Sequence, residues 1–103
     1  IIIITISGRL DVTNSEIVEK KFIETIESGE TKIVVDCENL HYISSSGLRA
    51  FLLLVKKLNT MNGKCIISSL QPDIKEIFDI SGFSSIFIIA DNKQDALKAI
   101  STQ

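Results

Sequence analysis

Tryptophan is absent from this chain of 103 residues, and aromatic residues of all kinds make up only 6% of it. Hydrophobic residues nevertheless account for 45%. A core built from them must be mainly aliphatic and rich in β-branched side chains, a composition that favours a buried sheet. The length is typical of one domain, and we assign residues 1–103 to a single domain.

Strong charge of one sign is also lacking. The 11 basic and 13 acidic residues give a formal net charge of −2, and no basic cluster is longer than two residues. Because proteins bind nucleic acid through clustered Lys and Arg side chains, we do not expect nucleic acid as a partner.

Long apolar runs and targeting signals are missing as well. The longest unbroken apolar run, residues 50–55, is far shorter than the roughly 18 residues that a membrane span requires. The chain starts at Ile1 with neither an initiator methionine nor the parts of a signal peptide. We therefore expect further residues upstream of Ile1, no membrane span and a cytoplasmic location.

Cysteine and histidine are too few and too scattered for a disulfide framework or a metal site. Cys37 and Cys65 lie far apart without the CxxC spacing of many zinc sites, and His41 is the only histidine. We predict two buried free thiols, as is usual in a cytosolic protein, and neither a metal nor a cofactor.

Segments with strand character alternate with segments of helical character along the chain. This order predicts an α/β fold with a mostly parallel sheet of four to five strands and about four helices. The predicted strands are residues 1–7, 31–36, 64–68 and 85–90. The predicted helices are residues 14–27 and 47–60, one that begins at Pro72, and one that follows Asp91.

Residues 1–7 are β-branched almost throughout, which predicts a strand buried on both faces. Residues 8–11 are then predicted to leave the strand. Residues 40–43 are predicted to lie in the loop after the second strand, anchored by their apolar side chains.

Two pairs of polar residues have the spacing of helix caps. Thr13 and Glu16 match a capping box at the start of the first helix. Asp91 and Gln94 have the same spacing before the last helix. We predict that each pair caps the helix that follows it.

Three consecutive serines, Ser44 to Ser46, stand before Gly47 at the start of the second predicted helix. Serine is a favoured N-cap residue, because its hydroxyl accepts a hydrogen bond from a backbone N–H group that has no partner inside the helix. One serine is sufficient for this role, and a helix N-terminus also stabilises a phosphate group. We predict that one of the three serines caps the helix and that another accepts a phosphoryl group.

An acidic residue is expected near these serines. Asp11 lies in the loop after the first predicted strand, and the serines lie in the loop after the second. Since the carboxyl ends of neighbouring parallel strands meet at one edge of a sheet, we expect Asp11 and Ser46 on the same rim if those two strands are neighbours.

The second predicted helix has an apolar face and a mixed face. The side chains that a helical wheel places towards the core are Leu48, Phe51, Leu52, Val55 and Leu58. Leu53 lies opposite them, among Arg49, Lys56 and Lys57. An apolar residue ringed by cations suits a partner-binding face, to which we assign Arg49, Ala50 and Leu53.

Four segments are informative when taken together: GRLD at residues 8–11, Asp36, ISSSGL at residues 43–48, and KCIISSLQPDIKEIFDISGF at residues 64–83. Their order and spacing resemble those of a STAS domain, the fold of bacterial anti-sigma factor antagonists and of the cytoplasmic tails of sulfate transporters. The resemblance covers nearly the whole chain and implies one more strand upstream of Ile1.

The resemblance also implies a function. In the antagonists, a partner anti-sigma factor serine kinase phosphorylates the hydroxyl residue just before the glycine, which is Ser46 here, beside Ser44, Ser45 and Gly47. The aspartate of the GxLD segment, here Asp11, lies near that residue and matters for the reaction. The family commonly has aspartate two residues before the acceptor, where this chain has Ser44.

The expected protein is therefore an anti-sigma factor antagonist and not an enzyme. Its phosphorylation would control a partner switch that regulates sigma-factor-dependent transcription. A weak homodimer is a further expectation.

Two other kinds of function are considered. A hydrolase would need an activated serine, but the chain has no GxSxG elbow and His41 has no evident orienting partner. The phosphate-binding motif GxxxxGK[ST] is also absent. The more serious alternative is a STAS module of a larger sensory complex or of an anion transporter, acting as a protein-interaction scaffold.

Overall fold

Two parallel sheets and four helices make up the α/β fold of the computed structural model, which describes residues 1–101. The strands are β1 (Ile2–Thr5), β2 (Gly8–Leu10), β3 (Lys32–Asp36), β4 (Leu40–Ile43), β5 (Lys64–Ser68) and β6 (Ile88–Ala90). The helices are α1 (Ser15–Glu27), α2 (Ser45–Asn59), α3 (Pro72–Ile80) and α4 (Lys93–Ser101), with a 3-10 turn at Phe83–Ser85. The predicted fold class is confirmed.

The main sheet has the strand order β1-β3-β5-β6, and all of its pairs are parallel. Helices α1, α2 and α3 pack on one face and bury the larger core. Helix α4 covers the other face through a smaller cluster, Val34 and Ile66 of the sheet against Ala96 and Ile100. Strands β3 and β5 are thus buried on both sides, as their continuous apolar sequences require.

The larger core is mainly aliphatic, as the composition predicts, and it contains one aromatic cluster. All five phenylalanines of the chain belong to one cluster. The ring centroid of Phe51 lies 5.9 Å from that of Phe22, 5.8 Å from Phe78 and 6.2 Å from Phe87. Such tilted and edge-on contacts are the favoured geometry of aromatic pairs, and they attach α2 to both α1 and α3.

The first strand is not buried on both faces, so that prediction is wrong. Strand β1 lies at the edge of the main sheet, and Ile3 is 42% exposed while Ile4 packs against the core. The physical reason is the position of α4, which packs over β3 and β5 and leaves the outer face of β1 uncovered.

Two predicted loops are short strands. Gly8–Leu10 and Leu40–Ile43 pair in parallel as β2 and β4 and form a second sheet of their own. Neither segment has a local strand signal, because each is only three or four residues long and is stabilised by the other. The strand predicted at residues 85–90 is shorter than expected, since the chain first makes the 3-10 turn.

The predicted capping pairs are also wrong. Thr13 does not cap α1: its hydroxyl donates to Asp11, and the N-cap position is occupied by Asn14 without a side-chain cap bond. The last helix is capped one residue later than predicted, because the backbone N–H of Asp95 donates to Asn92 Oδ1 at 2.8 Å.

Both cysteines are buried and free, as predicted. Burial raises the pKa of the Cys65 thiol to about 12, and burial together with the nearby Asp36 raises the pKa of the Cys37 thiol further. Neither thiol can ionise near neutral pH without leaving the core. Between residues 1 and 101 no group of three or more His, Cys, Asp or Glu side chains could hold a metal ion, and no helix is long and apolar enough to cross a membrane.

These thiols predict a loss of stability at alkaline pH. Above the ordinary thiol pKa of 9.0 the unfolded chain releases two protons that the folded chain keeps. The free energy of unfolding should therefore fall by up to about 1.4 kcal/mol per pH unit for each thiol between about pH 9 and pH 12, and show no such loss below pH 8. Urea unfolding with a reductant present at pH 7.5 and pH 10.5 measures it.

The matched control is the Cys37→Ala/Cys65→Ala double variant, whose stability should depend less on pH over the same interval. The quantity to compare is the change in unfolding free energy between the two pH values, because truncating two buried side chains lowers the stability at every pH. An equal loss between pH 7.5 and pH 10.5 in both proteins would contradict the prediction.

Candidate phosphorylation site

The ends of β2 and β4 bring the GRLD segment and the serine cluster together. Leu10 pairs with Ile43 in the small sheet, so Asp11 and Ser44 each follow directly on the end of a paired strand. The backbone N–H of Ser44 donates to the carbonyl of Leu10 at 2.9 Å. The two segments thus share one rim, although the strand that leads to Asp11 is β2 and not the first strand. Proximity of the Asp11 and Ser46 side chains stays a prediction.

Ser44 is the serine that caps α2. Its backbone is extended, and its hydroxyl oxygen accepts a hydrogen bond from the N–H of Gly47 at 3.2 Å. The hydroxyls of Ser45, which is exposed, and Ser46, which is half-buried, make no hydrogen bond within the described chain. The prediction that one serine caps the helix is confirmed, and two hydroxyls stay available at its first turn.

Gly47 allows α2 to start directly on the small sheet. A Cβ atom at this position would lie 2.8 Å from Ile43 Cγ1, 2.8 Å from Leu10 Cγ and 3.0 Å from the Leu10 carbonyl oxygen. These separations are too short for a carbon atom, and one of them is to backbone. A side chain here would push the first turn of α2 away from β2 and β4, so glycine sets the position of the serine cluster.

Asp11 is held by its neighbours as an ionised carboxylate. The hydroxyl and the backbone N–H of Thr13 both donate to Asp11 Oδ1, and Arg9 Nε lies 3.5 Å from Oδ2. The bonds from Thr13, with a smaller contribution from Arg9, hold the pKa of this carboxyl below its usual value. Asp11 therefore keeps its negative charge at neutral pH.

Arg9 makes a second contact that the sequence did not indicate. The central carbon of its guanidinium group lies 4.1 Å from the ring centroid of Tyr42, a cation–π geometry. The contact depends on the pairing of β2 with β4, which places Arg9 opposite Tyr42. The outer face of the small sheet thus carries a cation beside Asp11. His41, in the same strand as Tyr42, is exposed.

A shallow groove of about 340 Å³ runs between the first turns of α1 and α2. It is lined by Val12, Ser15, Glu16, Glu19, Ser46 and Arg49. Its charged side chains are two carboxylates from α1 and one guanidinium from α2. Val12, at the mouth of the groove, is 75% exposed and adds an apolar surface beside the serines.

The predicted partner-binding face needs one correction. Ala50 is fully buried, so it cannot contact a partner in this structure. Helix α2 packs on α1 as well as on the sheets, which buries Ala50 in addition to the predicted face, whereas Leu48 and Leu52 are only partly buried. Arg49 is exposed and Leu53 is half-buried, so both can still be reached from outside.

The family model described as STAS domain matches residues 1–96. Among curated relatives, BtrV of Bordetella bronchiseptica, which carries the name of an anti-sigma factor antagonist, is 37% identical over 101 residues, covering 98% of this chain and 87% of its own length. The anti-sigma F factor antagonist of Paenibacillus polymyxa is 32% identical over 98 residues, covering 94% of this chain and 84% of its own.

Solved structures share the fold over most of their length. The anti-sigma factor antagonist SpoIIAA in its unphosphorylated form superposes with a TM-score of 0.85 at 22% identity and covers 98% of this chain and 88% of its own. The phosphorylated form of the Bacillus protein gives 0.75 at 24% identity, covering 95% and 88%. A family model that spans almost the whole chain and two relatives above 30% identity show that the chain belongs to the STAS domain family.

Proposed function

We propose that this domain is an anti-sigma factor antagonist that binds an anti-sigma factor kinase and is released when that kinase phosphorylates Ser46. The observation that carries the proposal is the state of Ser46: a half-exposed hydroxyl in the first turn of α2, left unbonded because Ser44 caps the helix. The names of the two relatives above 30% identity supply the class of partner.

The proposed reaction is a simple phosphoryl transfer. Ser46 Oγ attacks the γ-phosphorus of ATP held by the partner, the bond from that phosphorus to the bridging oxygen of ADP breaks, and the hydroxyl proton leaves to a base on the partner or to water. The start of α2 favours the product, since a helix N-terminus stabilises negative charge. This domain supplies the acceptor and no catalytic group.

The charges in the groove beside Ser46 indicate that phosphorylation should weaken binding to the partner. A phosphoryl group adds a charge of about −1.5 to −2 in a groove that already carries Glu16 and Glu19. In the free domain water solvates that charge. In a closed interface the same group would have to lose its hydration against a partner surface shaped for a neutral hydroxyl, which disfavours the complex.

Incubation with ATP and candidate anti-sigma kinases from the same genome, followed by mass spectrometry, tests the proposal. Phosphate should be found on Ser46 and should disappear in Ser46→Ala but not in Ser45→Ala. Phosphate on Ser45 would contradict the proposed site. Tight binding to such a kinase without any incorporation would instead favour a fixed scaffold.

The outer face of α2 is the proposed site of partner contact. Leu53 is half-buried and lies on the same helix as the exposed cations Arg49, Lys56 and Lys57, so it offers an apolar centre with a charged rim. We expect Leu53→Asp to weaken binding to the anti-sigma factor by about tenfold or more, because a carboxylate in the middle of an interface has to be desolvated.

Titration calorimetry against the identified kinase measures that loss. The matched control is Ile80→Asp, because Ile80 is an apolar residue of α3 that is 79% exposed and lies outside the proposed face. Normal folding and unchanged affinity in Leu53→Asp, or an equal loss in both variants, would remove Leu53 from the interface.

A further inference from the structure

Arg49 is the charged residue of α2 that shares the groove with Ser46. It follows Ser46 by three positions, a spacing at which side chains are neighbours on a helix surface. Both residues line the groove between α1 and α2. Arg49 is exposed, and it makes no ion pair with any residue between 1 and 101.

A phosphoryl group on Ser46 would be stabilised by such a cation. Glu16 is exposed and Glu19 is half-buried, and both line the same groove, so the added charge meets two carboxylates. The helix N-terminus has one hydrogen-bond donor fewer for the phosphoryl group, because the N–H of Gly47 already donates to the hydroxyl of Ser44. The remaining group in the groove that can donate hydrogen bonds to phosphate in a forked geometry is the Arg49 guanidinium.

We infer that Arg49 binds the phosphoryl group of phosphorylated Ser46 and holds it against α2. The inference rests on the proposed function for the existence of that phosphoserine, and it adds a second effect to the switch. In the unphosphorylated domain Arg49 is free to contact an acidic group of the partner. After phosphorylation the same side chain is occupied within the domain, so the partner meets a new negative charge and also loses a cation.

The test uses phosphoserine installed at position 46 during synthesis, by an expanded genetic code, so that no kinase is needed. Phosphorus NMR then gives the midpoint of the second phosphate ionisation as a function of pH. A bound guanidinium favours the dianion and lowers this midpoint. Arg49→Ala should therefore raise the midpoint by about 0.5 pH unit, and Arg49→Lys should raise it by less, since lysine keeps the charge but not the fork.

Lys57→Ala is the matched control. Lys57 is an exposed cation of the same helix, 11 positions after Ser46 and hence about 16 Å further along its axis. Its loss should move the midpoint by less than about 0.1 pH unit, given screening by salt. A midpoint in Arg49→Ala that matches the parent, or that moves no more than in Lys57→Ala, would overturn the inference.

The two proposals can fail separately. If the installed phosphoserine responds to Arg49→Ala while no kinase modifies Ser46, the contact exists and the proposed function is wrong. If kinases modify Ser46 and the midpoint does not respond, the function stands and the contact is wrong. Arg49 is exposed, so both variants should fold, and circular dichroism checks this.

Discussion

Phosphorylation of Ser46 is expected to weaken binding of the anti-sigma factor by about 100- to 5,000-fold. This range corresponds to a loss of roughly 3 to 5 kcal/mol, the usual cost of leaving a charged group desolvated and poorly paired in an interface. Ser46 lies in a groove that already holds Glu16 and Glu19, and the loss of water in the complex would strengthen the repulsion between these carboxylates and the phosphoryl group. No refolding of the domain is required for this effect.

Calorimetry with the unmodified domain and with phosphoserine installed at position 46 measures the ratio of affinities. Ser46→Ala should bind without regulation, and Ser46→Asp should bind weakly, although one carboxylate imitates a phosphate poorly. Phosphoserine at Ser28 is the matched control, because Ser28 follows the last turn of α1, about 14 Å along the helix axis from Glu19, the groove residue nearest to it in sequence. If the domain with phosphoserine at position 46 binds with an affinity within about twofold of the unmodified domain, this mechanism is refuted.

Phe51→Ala should cost about 3 to 5 kcal/mol of stability, a large effect for a single truncation. Phe51 is fully buried and its ring contacts those of Phe22, Phe78 and Phe87. Its removal leaves a cavity where α1, α2 and α3 meet, and it weakens the attachment of the helix that carries Ser46.

Urea unfolding at 25 °C measures this loss. Phe83→Ala is the matched control, because Phe83 is only partly buried and contacts two rings of the cluster, Phe78 and Phe87, at its border. We expect a distinctly smaller loss there. A loss in Phe83→Ala as large as in Phe51→Ala would contradict this prediction.

The sequence predicted the elements whose signals are strong and local. Strand β5 has the predicted bounds, and α3 starts at Pro72 as expected. The small sheet of β2 and β4 was missed, because strands this short are stabilised mainly by their pairing, which no local pattern indicates. The exposure of Ile3 was missed for a related reason: it depends on where α4 packs, 90 residues further along the chain.

The site was predictable as a region and not in its details. Serines before a helix predict a cap. Only the hydrogen bond from the N–H of Gly47 shows that Ser44 provides it and that the hydroxyls of the other two serines are left. Ala50 was assigned to the surface because a helical wheel assumes one buried face, whereas α2 is packed on more than one side. The contact of Arg9 with Tyr42 required the register of the small sheet.

The close contact between Gly47 and the small sheet limits how α2 can respond to a modification at Ser46. Leu10 and Ile43 lie so close to Gly47 that the start of α2 cannot move towards the small sheet without a clash. We therefore expect a phosphoryl group on the neighbouring Ser46 to leave the packing of α2 on the small sheet unchanged. If Ser46 is phosphorylated, we expect any larger change of shape to take place in the partner that contacts this surface.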